Sequence, residues 1–137
     1  VHDAARCLIR PDWVNRLIDA CADDEVGGLL ALPVADTLKQ QDEGASAGTE
    51  RAAGLVDRNG KWAAQTPQMF RLGLLRPALL SALSDPDSAA AITDEASAIE
   101  FLGLSPLLVE SSSHNFKLTY PQDFALAEAL LSWRQAN

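Results

Sequence analysis

Gly27-Gly28-Leu29-Leu30-Ala31-Leu32-Pro33-Val34 is the stretch on which the fold class of this 137-residue chain turns. Leu29 to Val34 is a continuous apolar run bounded by glycines and carrying a proline, which fits a parallel strand covered on both faces. Immediately upstream, Pro11-Asp12 opens a segment with apolar residues at Val14, Leu17, Ile18 and Cys21, the i, i+3, i+4, i+7 spacing of a helix with one buried face. Gly27-Gly28 ends it. Before the helix, Val1-His2-Asp3 reads as the last residues of a buried strand, and the only methionine is Met69, so the chain is expected to be the carboxyl-terminal part of a longer polypeptide. Strand, helix and strand in that order point to an α/β fold with a doubly wound, mostly parallel sheet.

Downstream of the apolar run the texture changes. Residues 36–61 form a polar, Gly/Ala/Ser/Glu-rich stretch bracketed by Asp36-Thr37-Leu38-Lys39 and Leu55-Val56-Asp57-Arg58. We read an extended β-arm, with a plain loop as the alternative. Because an isolated two-stranded hairpin is marginal in water, such an arm is expected to pack on a partner subunit. Leu72 to Leu83 carries a helical pattern in which Pro77 either kinks the helix or shifts its start. Thr93 is placed to cap a further helix, with Asp94 and Glu95 in its first turn and Gly103 at its end. Leu107 to Glu110 and Asn115 to Thr119 read as two short strands. Thr119 with Gln122 reads as a capping box opening a last helix, Gln122 to Arg134, with Pro121 in its first turn.

Composition excludes several classes. The 11 Lys+Arg against 19 Asp+Glu give a net charge of −8, with no basic stripe, which argues against nucleic-acid binding. The longest apolar stretch, Leu29 to Ala35, is far short of the ~20 residues of a membrane span, and no targeting segment is visible. Cys7 and Cys21 lack metal-ligand spacing and suit two unpaired thiols in a cytoplasmic protein. His2 and His114 lack a third ligand partner in sequence, so no metal site is assigned.

In open parallel sheets ligands bind beyond the carboxyl ends of strands. Polar clusters fall at such places: Asp3 to Arg6, Thr37 with Arg58, and Lys117. Arg6, Arg58 and Lys117 together suit a phosphorylated substrate, since guanidinium forks match phosphate oxygens and an ammonium adds a point charge. Screening beyond about 8 Å keeps the global negative charge from defeating such a cluster. Taken singly, each is equally a solvated surface residue, and spacing alone leaves the function open.

Val1-His2-Asp3-Ala4-Ala5-Arg6, Pro33-Val34-Ala35-Asp36-Thr37-Leu38-Lys39, Val56-Asp57-Arg58, Gln65-Thr66-Pro67-Gln68-Met69-Phe70, Thr93-Asp94-Glu95-Ala96-Ser97-Ala98 and Asn115-Phe116-Lys117-Leu118-Thr119 together resemble, in order and spacing, the 2-C-methyl-D-erythritol 4-phosphate cytidylyltransferases. The resemblance covers essentially the whole chain. It implies a Rossmann-like, mostly parallel sheet of the nucleotidyltransferase type with a protruding β-arm. It also implies a Mg²⁺-assisted reaction in which the phosphate of methylerythritol phosphate attacks the α-phosphate of CTP and releases pyrophosphate.

By the same resemblance Arg58 and Lys117 position the attacking phosphate, Asp3, Arg6, Thr37, Thr66 and Thr93 surround the methylerythritol part, and Ala4 lies close to the nucleotide. The family is a homodimer whose arm reaches into the neighbour, so residues 36–61 would place Thr37 and Arg58 in the other subunit's site. Family members carry upstream a glycine-rich loop with an Arg and a Lys that cradles the CTP phosphates; nothing in these residues matches it, so this chain alone is expected not to turn over CTP. Cys7 replaces a common proline and Ser111 a common glycine. The competing expectations are a related nucleotidyltransferase for another polyol or sugar phosphate, and a non-catalytic dimerising α/β module.

Overall fold

Gly28–Pro33 forms the central strand, β1, of a three-stranded sheet, and its first residues bury on both faces, as the unbroken apolar run dictates. The computed structural model describes residues 1–137 except 45, 85 and 137, and gives the backbone alone at 87 and 88. The chain forms two compact units, one of residues 1–32 and 64–137, the other of residues 33–63.

In the larger unit, helix α1, Pro11–Cys21, lays Trp13, Leu17 and Cys21 against Leu30 of β1 and Val109 of a later strand. Pro11 supplies a preset φ at the first helical position. Leu30 is fully buried, worth about 2 kcal/mol of transfer free energy for a side chain of its size. Burial also pushes the Cys21 thiol pKa up, which keeps it uncharged. Between α1 and β1 the chain turns at Gly27, whose φ of +102° and contact with the Met69 carbonyl leave no room for a Cβ.

β2, Leu38–Gln41, pairs antiparallel with β3, Ala52–Val56, with an irregularity at Gln40/Gln41. Residues 36–61 thus contain the expected extended pair, and its strands are almost wholly exposed. A further strand, β4, Trp62–Met69, was not read from the sequence at all; it flanks β1 in the sheet order β4-β1-β5, where β5 is Leu107–Glu110. β1 and β5 run parallel, from Gly28 opposite Leu107 to Ala31 opposite Glu110. Gly28 is required there, since a Cβ would sit 2.7 Å from the Leu107 carbonyl oxygen.

α2, Leu72–Ala82, begins where the pattern predicts and runs through Pro77. Its Leu75 and Ala78 pack on Ala98 and Ile99 of α4, Glu95–Phe101; a short α3, Pro86–Ala91, lies between them in sequence. The last helix, α5, is Pro121–Ala136, held to the unit by Arg134, which donates to the Leu8 carbonyl at 2.8 Å and lies 5.6 Å from the Trp13 ring centroid.

Four local expectations are corrected. Val1 to Asp3 is not a strand: Val1 is exposed, although its backbone exchanges hydrogen bonds with Gln68. Asn115 to Thr119 is not a strand either, because Ser113–Asn115 closes into a 3₁₀ turn in which the Ser112 hydroxyl accepts from the His114 amide. Asp94, not Thr93, caps α4: its carboxylate accepts from the Ser97 amide while the Ser97 hydroxyl accepts from the Asp94 amide. At α5 the Asp123 carboxylate, rather than the Thr119/Gln122 pair, takes the Thr119 and Tyr120 amides at 2.7 and 2.8 Å. Those two N–H donors hold the Asp123 carboxyl below its usual range.

Candidate functional site

A cavity of about 350 Å³ opens in the larger unit between the first six residues, β4, the start of α4 and Lys117. Asp3, Arg6, Thr66, Thr93 and Lys117 all line it, joined by His2, Gln68, Asp94 and Glu95. Five residues singled out from four separate stretches of sequence therefore share one site.

Backbone turns and buried amides position them. The Arg6 amide donates to the Asp3 carbonyl at 2.9 Å and the Ala5 amide to the Asp3 carboxylate at 3.0 Å, which curls residues 3–6 and presents both side chains to the cavity. Lys117 Nζ sits 2.7 Å from Asp3 Oδ2. The Lys117 hydrogen bond, then the Ala5 amide, lowers the Asp3 pKa, so the carboxylate stays ionised. Both partners are partly open to water, so the pair orients more than it stabilises. The Arg6 guanidinium donates to the Asn115 carbonyl at 2.7 Å and to the Ala64 carbonyl at 3.4 Å, and burial lowers its pKa from a value so high that it remains a cation.

Beneath lies a layer of buried amides. Asn115, fully buried, donates from Nδ2 to Gln65 Oε1 and to the Thr66 carbonyl, each at 2.9 Å. Gln68 accepts from the Ala96 amide at 2.7 Å and donates to Asp94 Oδ2 at 2.8 Å, tying β4 to the start of α4. These contacts explain why polar residues occupy the inward positions of β4: each satisfies backbone groups that an irregular wall leaves unpaired.

The other sequence-derived residues fall elsewhere. Ala4 is exposed within the turn between Asp3 and Arg6. Thr37 and Arg58 belong to the smaller unit, where they line a cavity of about 220 Å³ with Leu55, Val56, Asp57 and Asn59. Sequence reasoning set His2 aside for want of ligand partners and gave no role to Gln65, Gln68 or Asn115. No local signal marks those three: β4 has no apolar alternation to make Gln65 and Gln68 stand out, and Asn115 lies in a 3₁₀ turn rather than a strand.

The cavity does not form a metal cage. Among the described residues no group of three or more His, Cys, Asp or Glu side chains is placed to hold an ion. Asp3 is committed to Lys117 and Ala5, and Asp94 to Gln68 and Ser97. Nor is any helix among those residues long and apolar enough to cross a membrane.

The family description "IspD: 2-C-methyl-D-erythritol 4-phosphate cytidylyltransferase" matches residues 1–133. The chain is 58% identical over 132 residues to the 2-C-methyl-D-erythritol 4-phosphate cytidylyltransferase of Paraburkholderia phytofirmans, covering 96% of this chain and 53% of that protein. It is 57% identical over its full length to 30% of a bifunctional enzyme IspD/IspF of Albidiferax ferrireducens. The crystal structure of the Francisella tularensis cytidylyltransferase superposes with a TM-score of 0.80 at 35% identity, over 93% of this chain and 56% of that one. The chain thus spans about half the length of most curated relatives it matches. On these matches, which run through nearly all of its length, the chain belongs to the 2-C-methyl-D-erythritol 4-phosphate cytidylyltransferase family.

Proposed function

We propose that this chain carries the acceptor side of a cytidylyl transfer from CTP to 2-C-methyl-D-erythritol 4-phosphate in isoprenoid synthesis. A phosphate oxygen of the acceptor forms a bond to the α-phosphorus of CTP, the bond between that phosphorus and the bridging oxygen breaks, and pyrophosphate leaves with the electron pair. Such a transfer needs in-line positioning and charge compensation rather than a covalent nucleophile. Lys117 has three ammonium hydrogens, of which Asp3 takes one, leaving two for the acceptor phosphate. Arg6 adds a second cation, while Thr66 and Thr93 offer hydroxyls to the polyol, and Ala4 lies close to the nucleotide. The observation that carries this reading is the meeting of Asp3, Arg6, Thr66, Thr93 and Lys117 around one cavity.

We assign Thr37 and Arg58 to the acceptor site of a second subunit, with residues 36–61 as the dimerising arm. The nearly uncovered strands of that hairpin support this, since they bury little of themselves. Mg²⁺ is placed with the triphosphate of CTP, a common mode for an ion that keeps several waters and few protein ligands. The unpaired Cys7 and Cys21 suit a cytoplasmic setting. The test joins this chain to the portion of the Paraburkholderia phytofirmans relative that it does not cover and follows pyrophosphate release. Release dependent on both CTP and methylerythritol phosphate, weaker with ribitol phosphate and absent from the 137-residue chain alone, is expected. Equal rates with ribitol phosphate would transfer the assignment to another polyol phosphate.

A further inference from the structure

His2 is exposed and outside the set of residues assigned to the acceptor, yet both of its ring nitrogens are engaged. Nε2 lies 3.2 Å from the Arg6 carbonyl oxygen, and Nδ1 lies 2.9 Å from Thr66 Oγ1. The Asp3 amide donates to the same Thr66 oxygen at 2.9 Å. A carbonyl oxygen only accepts, so Nε2 carries the hydrogen and, in the neutral ring, Nδ1 carries the lone pair. The direction of every bond follows: His2 Nε2–H to the Arg6 carbonyl, the Thr66 hydroxyl to His2 Nδ1, and the Asp3 amide to the Thr66 oxygen.

This chain of bonds begins at one end of the 3–6 turn and finishes at the other. It grips the carbonyl of Arg6 and the amide of Asp3, the two residues whose side chains the turn delivers to the cavity. We propose that His2 is a positioning residue, clamping through Thr66 the turn that holds Asp3 against Lys117 and so setting the geometry of the acceptor site. The inference deepens the proposed acceptor role and rests on it only for its functional consequence. The groups facing the clamp are Asp3, Arg6, Asp94, Glu95 and Lys117, all on the wall of the same cavity.

The test uses the 137-residue chain with His2→Ala, His2→Asn and His2→Gln. Asn places an amide near the Nδ1 position and keeps the bond to Thr66; Gln reaches the Nε2 position and does not. First, the titration of the Asp3 carboxyl is followed by NMR, a readout that needs no ligand. The wild type and His2→Asn are expected to hold it below the ordinary carboxylate range, and His2→Ala and His2→Gln to let it rise as Lys117 loses its fixed partner. Second, the affinity for methylerythritol phosphate is measured on the same proteins. His2→Ala is expected to weaken it about fivefold, the size of one neutral hydrogen bond, with His2→Asn restoring most of the loss. An Asp3 titration unchanged in His2→Ala overturns the clamp, whatever the ligand does. An Asp3 titration that rises in His2→Ala, with a wild-type chain that fails to bind the acceptor, upholds the clamp and overturns the proposed function instead.

Discussion

Asn115→Ala separates a supporting scaffold from a merely crowded interior. The side chain is fully buried and its amide donates twice, to Gln65 Oε1 and to the Thr66 carbonyl. Truncation leaves two acceptors without partners, each costing about 1–3 kcal/mol in a buried setting. One term runs the other way: Asn115 Oδ1 has no hydrogen-bond partner, and removing it relieves a cost of about 1 kcal/mol. The net expectation is a loss of about 3 kcal/mol, the middle of a range of about 1–5 kcal/mol, or roughly 10 °C in Tm for a domain of this size. Denaturant unfolding followed by tryptophan fluorescence measures it, with Asn115→Leu as a control that fills the volume but still strands both acceptors. A loss under about 1 kcal/mol in both variants would refute the view that this amide holds β4 to the segment carrying Lys117.

Gln68→Leu keeps the bulk but strands the Ala96 amide and Asp94 Oδ2, so it should cost about 2 kcal/mol, read by the same unfolding assay. Asp123 titrates below its usual range in the folded chain, so its contribution is present at neutral pH and disappears as pH falls below about 4 toward the lowered value. Asp123→Asn should therefore flatten the acid limb of stability against pH and leave the profile above pH ~5 unchanged in shape. In the chimera completed with the Paraburkholderia portion, Arg58→Ala should reduce turnover at least tenfold, about 1.4 kcal/mol of transition-state stabilisation. A change within about twofold would favour a dimerising module without chemistry on the arm.

Where one physical signal dominated, the sequence could be read. The apolar run of β1 and the helical spacing of α1 are consequences of burial on two faces and on one; β1 lies within one residue of its expected bounds and α1 starts at Pro11 as expected, but α1 ends at Cys21, short of the Gly27-Gly28 stop. β4 escaped notice because its buried positions are Gln65 and Gln68, with a proline between them, the reverse of a strand pattern. Asn115 to Thr119 misled for a related reason, since side chains of Ser112 and Asn115 replace the ladder bonds that a strand would make. The cap of α4 moved one residue because Ser97 is spaced to close a box with Asp94, and spacing decides between two adequate caps. The cations and hydroxyls of the site were legible as residue types. What joins them, the His2–Thr66 bond and the buried amides, was not, because contacts at sequence separations of 26 to 64 leave no local trace.

The central claim is that the cavity of the larger unit receives a polyol phosphate. It is tested most directly by titrating the isotope-labelled 137-residue chain with methylerythritol phosphate and following every backbone amide by NMR. The account predicts saturable shifts concentrated at Asp3, Arg6, Thr66, Thr93 and Lys117, reduced by Lys117→Met and Arg6→Ala. Saturable shifts confined to other surfaces, or none at millimolar ligand in a chain whose spectrum is folded, would contradict it.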